Sequence, residues 1–275
     1  NGRCEVFNNF FGEQTKNLQV LYDCLDDQIE FPVAQQNEIL RRKILNGEKA
    51  IIKNADFIFC SSDTLKEVIT KRYQVDNKIN VVNNGIKLDT KYQPINEDLI
   101  KKSNKKIITY IGTISGWFDF ELLEKACEKF DQIEFHLYGP SEVEIPFNKQ
   151  IKYFGILEHK DVFKIMAMAD AMIMPFKLNN LIRSVNPVKL YEYIYSGKLV
   201  IALGYYETTK FEKYVYLYDK PESFLEFCKK LIDGSVKPKV SLPDSKEFCL
   251  ENTWEKRINE IFTIINNLLI REKNQ

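Results

Sequence analysis

The sequence predicts an α/β fold in which helices cover both faces of a parallel sheet. From Lys105 onward, short apolar runs alternate with helical patterns, and most of the runs end at glycine or proline. Strands and helices that alternate at this spacing form parallel, doubly wound sheets. The composition agrees, because 44% hydrophobic and 28% charged residues are ordinary for a globular protein of 275 residues.

The second half of the chain carries the clearest pattern. Its predicted helices include one whose apolar residues Val162, Ile165, Met166 and Ala169 repeat at helical spacing. We predict strands over Lys106–Ile111, Ile133–Tyr138, Ile151–Phe154, Ala171–Met174 and Leu199–Ala202, and helices over Phe120–Phe130, His159–Ala169 and Pro187–Ser196.

The first half shows the same alternation with fewer strands. We predict strands over Gln19–Tyr22, Asp56–Cys60 and Lys78–Val82, and helices over Gln36–Lys53 and Thr64–Arg72, the latter capped by Ser61-Ser62. Two or three strands are too few for an independent open sheet. We therefore expect this domain to be truncated, on the order of 100 residues short of a full α/β domain.

These patterns divide the chain into three ranges. Residues 1–104 are predicted to form a partial Rossmann-like domain with a polar linker from about residue 89, and residues 105–250 a second Rossmann-like domain. Residues 251–275 contain the last helix, predicted over Asn252–Arg271, which we expect to pack on its own chain. Its predicted apolar stripe consists of Trp254, Ile258, Ile261, Phe262, Ile265, Leu268 and Leu269.

Charge and cysteine usage exclude several classes of function. The 39 basic and 39 acidic residues balance, which argues against a protein that coats nucleic acid. No apolar run approaches the ~20 residues that span a bilayer. The six cysteines lack the spacing of a zinc site or a redox pair. Several lie inside apolar runs, where a free thiol behaves as a small buried hydrophobe, and this favours a reducing, cytoplasmic compartment. The six cysteines are Cys4, Cys24, Cys60, Cys127, Cys228 and Cys249.

Ligands of open parallel sheets bind beyond the carboxyl ends of the strands, and one turn there is informative. Asn186-Pro187 is typical of an N-cap followed by the first helical residue, and a helix N-terminus attracts anions. Lys189 and Glu192 then share one face of that helix. They suit a phosphate and ribose hydroxyls, although a surface ion pair is the alternative.

A second turn, with Gly112 and Gly116, follows the first strand of the second domain. Glycines allow the backbone to approach a phosphate closely, but this pattern is weak by itself. Trp117 and Phe118 are more typical of packing than of a sugar platform, and Asp119 is more typical of a helix cap than of a catalyst.

Seven motifs occur in order along the chain: Tyr22–Asp27 (YDCLDD), Val82–Ile86 (VNNGI), Ile111–Asp119 (IGTISGWFD), Leu137–Pro140 (LYGP), Phe154–Gly155 (FG), Met174–Phe176 (MPF) and Asn186–Tyr193 (NPVKLYEY). Together they resemble the GT-B glycosyltransferases of family 4, in particular the bacterial branch that builds teichuronic-acid-type and capsular polysaccharides. The resemblance implies two Rossmann-like domains facing a cleft, a nucleoside-diphosphate sugar as donor, transfer with retention, and neither cofactor nor metal.

The resemblance also implies roles for individual residues. Glu192 matches the glutamate that holds the donor ribose, and Lys189 with the backbone of Asn186, Pro187 and Val188 would lie near the diphosphate. Gly112 matches the glycine under the phosphates. Gly155 and Ile156 match the loop that borders the base, and Asp27 the polar residue that orients the acceptor.

Two positions depart from the pattern of the family. Ser184 replaces the first of two glutamates, and Thr113 replaces an arginine beside the phosphate loop. The cation that stabilises the leaving diphosphate must then come from elsewhere, and Arg183 and Lys189 are the candidates.

These observations predict a cytoplasmic retaining glycosyltransferase that acts on a growing glycan or a lipid-linked acceptor. A lipid-linked acceptor would bring the chain to the inner membrane face. The Lys101–Lys106 cluster could then serve as a membrane contact, although a solvated linker is the stronger interpretation. The alternative function is a non-catalytic subunit that binds a nucleotide sugar or an active partner enzyme. A nucleotide-sugar 2-epimerase ranks far lower, because the chain has only two histidines.

Overall fold

The computed structural model describes residues 19–75, 77–88 and 104–273, with side chains to residue 270. Cys4 and most of the predicted linker lie outside the described residues. The strands are β1 (Leu21–Cys24), β2 (Phe57–Cys60), β3 (Ile79–Val81), β4 (Lys106–Ile111), β5 (Ile133–Tyr138), β6 (Ile151–Tyr153), β7 (Ala171–Met174), β8 (Leu199–Leu203) and β9 (Tyr216–Tyr218).

The helices follow in the same chain order. They are α1 (Pro32–Gln35), α2 (Glu38–Asn54), α3 (Asp63–Tyr73), α4 (Phe120–Lys129), α5 (Val162–Met168), α6 (Asn180–Ser184), α7 (Val188–Tyr195), α8 (Tyr206–Thr209), α9 (Pro221–Ile232), α10 (Leu242–Leu250) and α11 (Trp254–Lys273). Short 3-10 helices cover Gln28–Glu30 and His159–Asp161, so the helix predicted to begin at His159 becomes regular only at Val162.

The chain forms two compact units that are not continuous in sequence. The first contains the described residues up to Asn84, together with Asn180–Asn186 and the described residues from Glu255 onward. The second contains the described residues of Gly85–Asn179 and Pro187–Trp254. The three sequential ranges given above stay a prediction.

The first unit contains a three-stranded parallel sheet in the order β1-β2-β3. One core cluster joins β1, β2, β3, α2 and α3, and it contains Cys24, Ile52, Ala55, Ile58, Cys60, Leu65, Ile69 and Ile79. β1 is shifted by two residues from its predicted range. It begins at Leu21, which pairs with Phe57, and it ends at Cys24, which pairs with Cys60. Ser62 caps α3 as predicted, since its side chain accepts a hydrogen bond from the amide of Leu65.

The last helix packs on its own chain, as predicted. Ile261, Ile264, Ile265, Leu268 and Leu269 of α11 cover Phe57, Phe59 and Val82 of the first unit. Two members of the predicted stripe are wrong, because Ile258 is 49% and Phe262 is 59% exposed. Ile264, which lies outside the predicted stripe, takes part in the packing, and all five of these α11 residues are partly buried.

The second unit is a six-stranded parallel sheet in the order β6-β5-β4-β7-β8-β9. Counted within the unit, this is the order 3-2-1-4-5-6 of the doubly wound dinucleotide-binding fold. The order reverses between β4 and β7, and ligands of such sheets bind at the carboxyl ends of the two strands that flank the reversal. The topology therefore predicts a ligand site at the residues that follow Ile111 and Met174.

Further features bear on chemistry within the described part of the chain. The five described cysteines are buried and free, and burial raises the pKa of Cys127, Cys228 and Cys249 to about 12. Thiols of this kind are poor nucleophiles at neutral pH. Among the described residues, no helix is long and apolar enough to cross a membrane, and no His, Cys, Asp or Glu cluster is arranged to hold a metal ion.

Candidate functional site

The helix α7 begins near the carboxyl ends of the strands of the second unit, but its N-cap differs from the predicted one. Its N-cap is Pro187 without a side-chain capping bond, so the prediction of Asn186 as N-cap is wrong. Asn186 belongs to the first unit, where its Oδ1 accepts a 3.0 Å hydrogen bond from the amide of Asn84. The Asn84 side chain in turn donates to the carbonyl of Asn186 at 2.7 Å.

Lys189 and Glu192 lie on one face of α7, as their spacing predicts. The Lys189 Nζ is 2.7 Å from the Glu192 Oε2, and the two side chains are 35% and 18% exposed. A carboxylate can accept several hydrogen bonds, so this ion pair leaves Glu192 able to accept bonds from a ligand hydroxyl. The partly accessible pair therefore presents both a cation and an acceptor at the start of the helix.

The loop after β4 is joined to the loop after β5 by backbone hydrogen bonds. The Gly112 amide donates to the carbonyl of Tyr138 at 2.9 Å, and the Ile114 amide donates to Pro140 at 2.9 Å. A Cβ atom on Gly112 would lie 2.7 Å from the Tyr110 hydroxyl oxygen, so a larger residue there would displace that hydroxyl. The backbone carbonyl of Thr113 accepts a 2.8 Å hydrogen bond from the Tyr110 hydroxyl. This loop is closely packed, with its backbone held on several sides.

Gly139 provides a test of that packing. Its φ is +126°, and an added Cβ would lie only 2.1 Å from the carbonyl oxygen of Gly112. We expect Gly139→Ala to cost about 2–3 kcal/mol, because it combines backbone strain with a clash against rigid backbone. The thermal melting temperature measures this loss. Gly234→Ala is the matched control, since Gly234 has φ +72° but open space around it. Equal losses in the two variants would contradict the close approach.

The loop after β6 is the one predicted to border a nucleotide base. Gly155 has φ +77°, and Ile156 is 79% exposed. Phe154 stacks on Tyr138 with ring centroids 4.8 Å apart, and the Tyr153 hydroxyl donates to the carbonyl of Gly139 at 2.8 Å. The structure therefore presents an exposed apolar side chain on a well-anchored loop.

Asp27 lies in a buried polar network of the first unit. Its side chain is 4% exposed, and the Arg72 guanidinium donates to both of its oxygens. Arg72 also lies 3.4 Å from Glu48, which accepts hydrogen bonds from the hydroxyls of Tyr22 and Tyr73. This placement gives Asp27 a structural partner, and its role in orienting an acceptor stays a prediction.

Two further predicted positions lie on the short helix α6 of the first unit. Arg183 is exposed, whereas Ser184 is 1% exposed. The Ser184 hydroxyl donates to the carbonyl of Leu181 at 2.9 Å, and the Ser184 carbonyl accepts from Ser62. Ser184 is thus used in packing α6 against the start of α3. Arg183 and Lys189 belong to different units, and each stays a candidate cation.

One residue at the edge was missed by the sequence analysis. Lys177 lies in the loop after β7, beyond Pro175 and Phe176, near the reversal point of the sheet, and its Nζ is 2.9 Å from the Glu121 Oε1. Its amide donates to the carbonyl of Trp117, so the loops after β4 and β7 are hydrogen-bonded to each other. The position of Lys177 after an apolar strand was the available signal. Asp119 caps α4 by accepting from Leu122, and Phe118 is buried, both as predicted.

Comparison with known proteins gives one clear relative in sequence. No protein-family model matches the chain. The chain is 30% identical over 233 residues to a Bacillus subtilis (strain 168) protein named "Putative teichuronic acid biosynthesis glycosyltransferase TuaH". The match covers 78% of this chain and 58% of TuaH, so the chain spans less than two thirds of the length of that relative.

Solved structures show the fold. The chain is similar to sucrose-phosphate synthase from Thermosynechococcus elongatus, with a TM-score of 0.68, 17% identity and coverage of 96% of this chain and 71% of that one. Anabaena HepE in complex with UDP-glucose is similar with a TM-score of 0.67 and 12% identity, over 90% of this chain and 72% of HepE. The lipopolysaccharide outer core galactosyltransferase WaaB is similar with a TM-score of 0.62 and 16% identity, over 98% of this chain and 80% of WaaB. Together with TuaH, they confirm the resemblance to GT-B glycosyltransferases and the predicted fold class.

Proposed function

We propose that this chain, which resembles GT-B glycosyltransferases in fold and in sequence, moves a sugar from a nucleoside-diphosphate sugar to a growing cell-surface glycan or a lipid-linked acceptor. The observation that carries the proposal is the Lys189–Glu192 pair at the start of α7, on a sheet with the dinucleotide-binding strand order. The similarity to TuaH, named for teichuronic acid biosynthesis, supports the polysaccharide acceptor. The complex of HepE with UDP-glucose supports a nucleotide sugar as donor.

In the proposed donor site, Glu192 accepts hydrogen bonds from the ribose hydroxyls. Lys189 and the backbone of Asn186, Pro187 and Val188 contact the diphosphate, whose negative charge is favoured at a helix N-terminus. The loop of Gly112 and Thr113 supports the phosphates from below, and Gly155 with Ile156 borders the base. No cofactor or metal is part of this proposal, because lysine and arginine side chains can stabilise the leaving charge.

We propose transfer with retention of configuration. The bond between the sugar carbon and the diphosphate oxygen breaks, and the acceptor oxygen bonds to that carbon on the same face. The proton of the acceptor hydroxyl passes to the leaving phosphate, so no side-chain base is needed. Asp27 orients the acceptor, while Arg183 and Lys189 supply the positive charge that stabilises the departing diphosphate.

Two measurements test the proposal. A thermal-shift panel of UDP, GDP and ADP should raise the melting temperature with at least one of them, since binding to the folded state stabilises it. Lys189→Ala should bind that nucleotide about tenfold more weakly by calorimetry, through loss of one charge-assisted contact. Lys230→Ala is the control, because Lys230 forms a similar exposed pair with Glu226. Unchanged affinity in Lys189→Ala would show that Lys189 and Glu192 form only a surface ion pair.

A non-catalytic nucleotide-sugar-binding subunit is the second candidate. It is favoured by Ser184, which is buried where the family has a glutamate, and by Thr113, which stands where the family has an arginine. Incubation of the chain with nucleotide sugars separates the two functions. Release of the nucleoside diphosphate indicates an enzyme, whereas binding without release indicates the binding subunit.

We also propose a cytoplasmic location, with a lipid-linked acceptor bringing the chain to the inner membrane face. The buried, free state of the five described cysteines supports a reducing compartment.

A further inference from the structure

A buried tyrosine hydroxyl lies where β4 separates from β7. The pairing of β4 with β7 involves only Ile108 and Thr109, while its pairing with β5 continues to Ile111. On the side of β7, the last residue of β4 therefore has no strand partner. The Tyr193 hydroxyl takes that place, since it accepts from the Ile111 amide at 2.9 Å and donates to the Ile111 carbonyl at 3.2 Å.

Tyr193 is completely buried, and it belongs to α7, directly after Glu192. Ile111 directly precedes Gly112 in the chain. One hydroxyl thus links the helix that carries Lys189 and Glu192 to the residue at which the Gly112 loop begins. Burial raises the pKa of Tyr193 well above its ordinary value, so the hydroxyl keeps its proton for donation at any physiological pH.

A second buried tyrosine holds the other side of the same glycine. The Tyr110 hydroxyl donates to the Thr113 carbonyl at 2.8 Å. Gly112 therefore lies between two residues, Ile111 and Thr113, whose backbone groups are each bound by a tyrosine hydroxyl. None of these three hydrogen bonds is a strand–strand bond. Substitution of either tyrosine with phenylalanine removes the hydroxyl and keeps the ring.

We infer that Tyr193 is a positioning residue that sets the distance between the Gly112 loop and α7, and with it the fit of the donor diphosphate. The inference rests on the proposed function, because it assigns the loop and the helix to one donor. Tyr193 itself touches no ligand in this inference. It acts through Ile111 and the loop, and Tyr110 supports it from the side of Thr113.

The experiment compares UDP with UMP, or GDP with GMP or ADP with AMP if the panel favours that base. Tyr193→Phe is expected to weaken binding of the diphosphate about tenfold or more by calorimetry, and to weaken binding of the monophosphate by no more than about twofold. A merely structural role would not change this ratio, because general loss of stability does not separate the two ligands. Ile108→Val is the control, since Ile108 is fully buried in β4 and has no side-chain hydrogen bond to lose.

The outcomes are distinguishable. An unchanged ratio in Tyr193→Phe, or the same change in Ile108→Val, overturns the inference while the proposed function stands. A parent chain that binds no nucleoside diphosphate overturns the proposed function first. Where Tyr193→Phe fails to fold, Tyr110→Phe serves as the second variant, and a diphosphate-selective loss is expected there also. An unchanged ratio in Tyr110→Phe then counts against the inference.

Discussion

The Glu192→Ala variant is expected to bind the preferred nucleoside diphosphate about 100-fold more weakly than the parent chain. Two hydrogen bonds from ribose hydroxyls to a carboxylate are worth about 3 kcal/mol in total, which corresponds to that factor. Donor turnover should fall at least as far, because the same contacts hold the donor during transfer. Calorimetry with UDP, GDP or ADP measures the first effect, and release of the nucleoside diphosphate from its sugar conjugate measures the second.

The matched control is Glu226→Ala. Glu226 pairs with Lys230 at 2.7 Å on α9, the same distance as between Glu192 and Lys189 on α7, but at i,i+4 instead of i,i+3 spacing, and it is far more exposed. An exposed pair contributes only ~0.2–1 kcal/mol, so this variant should keep both affinity and stability nearly unchanged. If Glu192→Ala turned over donor and acceptor at the parent rate, the proposed role of Glu192 in the donor site would be wrong.

The Arg72→Met variant is expected to lower the stability of the first unit by about 3–5 kcal/mol. Arg72 is the cation between Asp27 and Glu48, whose side chains are 4% and 5% exposed. Removing it leaves two buried carboxylates without a cation, and breaking a buried pair on one side carries a cost of this size. The melting temperature should fall by roughly 10 °C.

Arg42→Met provides the comparison for this effect. Arg42 pairs with Glu38 at 2.9 Å, yet the two side chains are 74% and 61% exposed. Its loss should therefore change stability by less than about 0.5 kcal/mol. Adding Asp27→Asn to Arg72→Met should restore part of the loss, because one of the two unpaired charges is removed. Equal melting temperatures for Arg42→Met and Arg72→Met would show that the buried network does not stabilise the unit.

The strands of the second unit other than β9, and its helices α4, α5 and α7, were predicted because their signals are local, whereas α8 and α10 were not predicted. β4, β5 and β7 have the predicted bounds, since each is an apolar run that ends at glycine or proline. β9, with only three residues, was missed. α9 was also missed, although Pro221 at its start and the buried residues Phe224, Phe227, Cys228 and Leu231 form a regular helical stripe.

The candidate site was predictable only where a side chain acts within its own helix. The spacing of Lys189 and Glu192 predicts their shared face, and the structure shows it. The partners of Asp27 and Asn186 were not predictable. Arg72 is 45 residues away from Asp27, and Asn84 is 102 residues away from Asn186. Such contacts depend on tertiary packing, which no local pattern contains.

The packing of α11 has a consequence for synthesis on the ribosome. Phe57, Phe59 and Val82 of the first unit are covered by Ile261, Ile264, Ile265, Leu268 and Leu269, which are translated after the described residues of the second unit. The second unit draws on no described residue after Trp254. We therefore expect the second unit to reach its native state while the first still exposes aromatic side chains. For these two units we therefore expect the reverse of the usual order, in which the part synthesised earlier matures first.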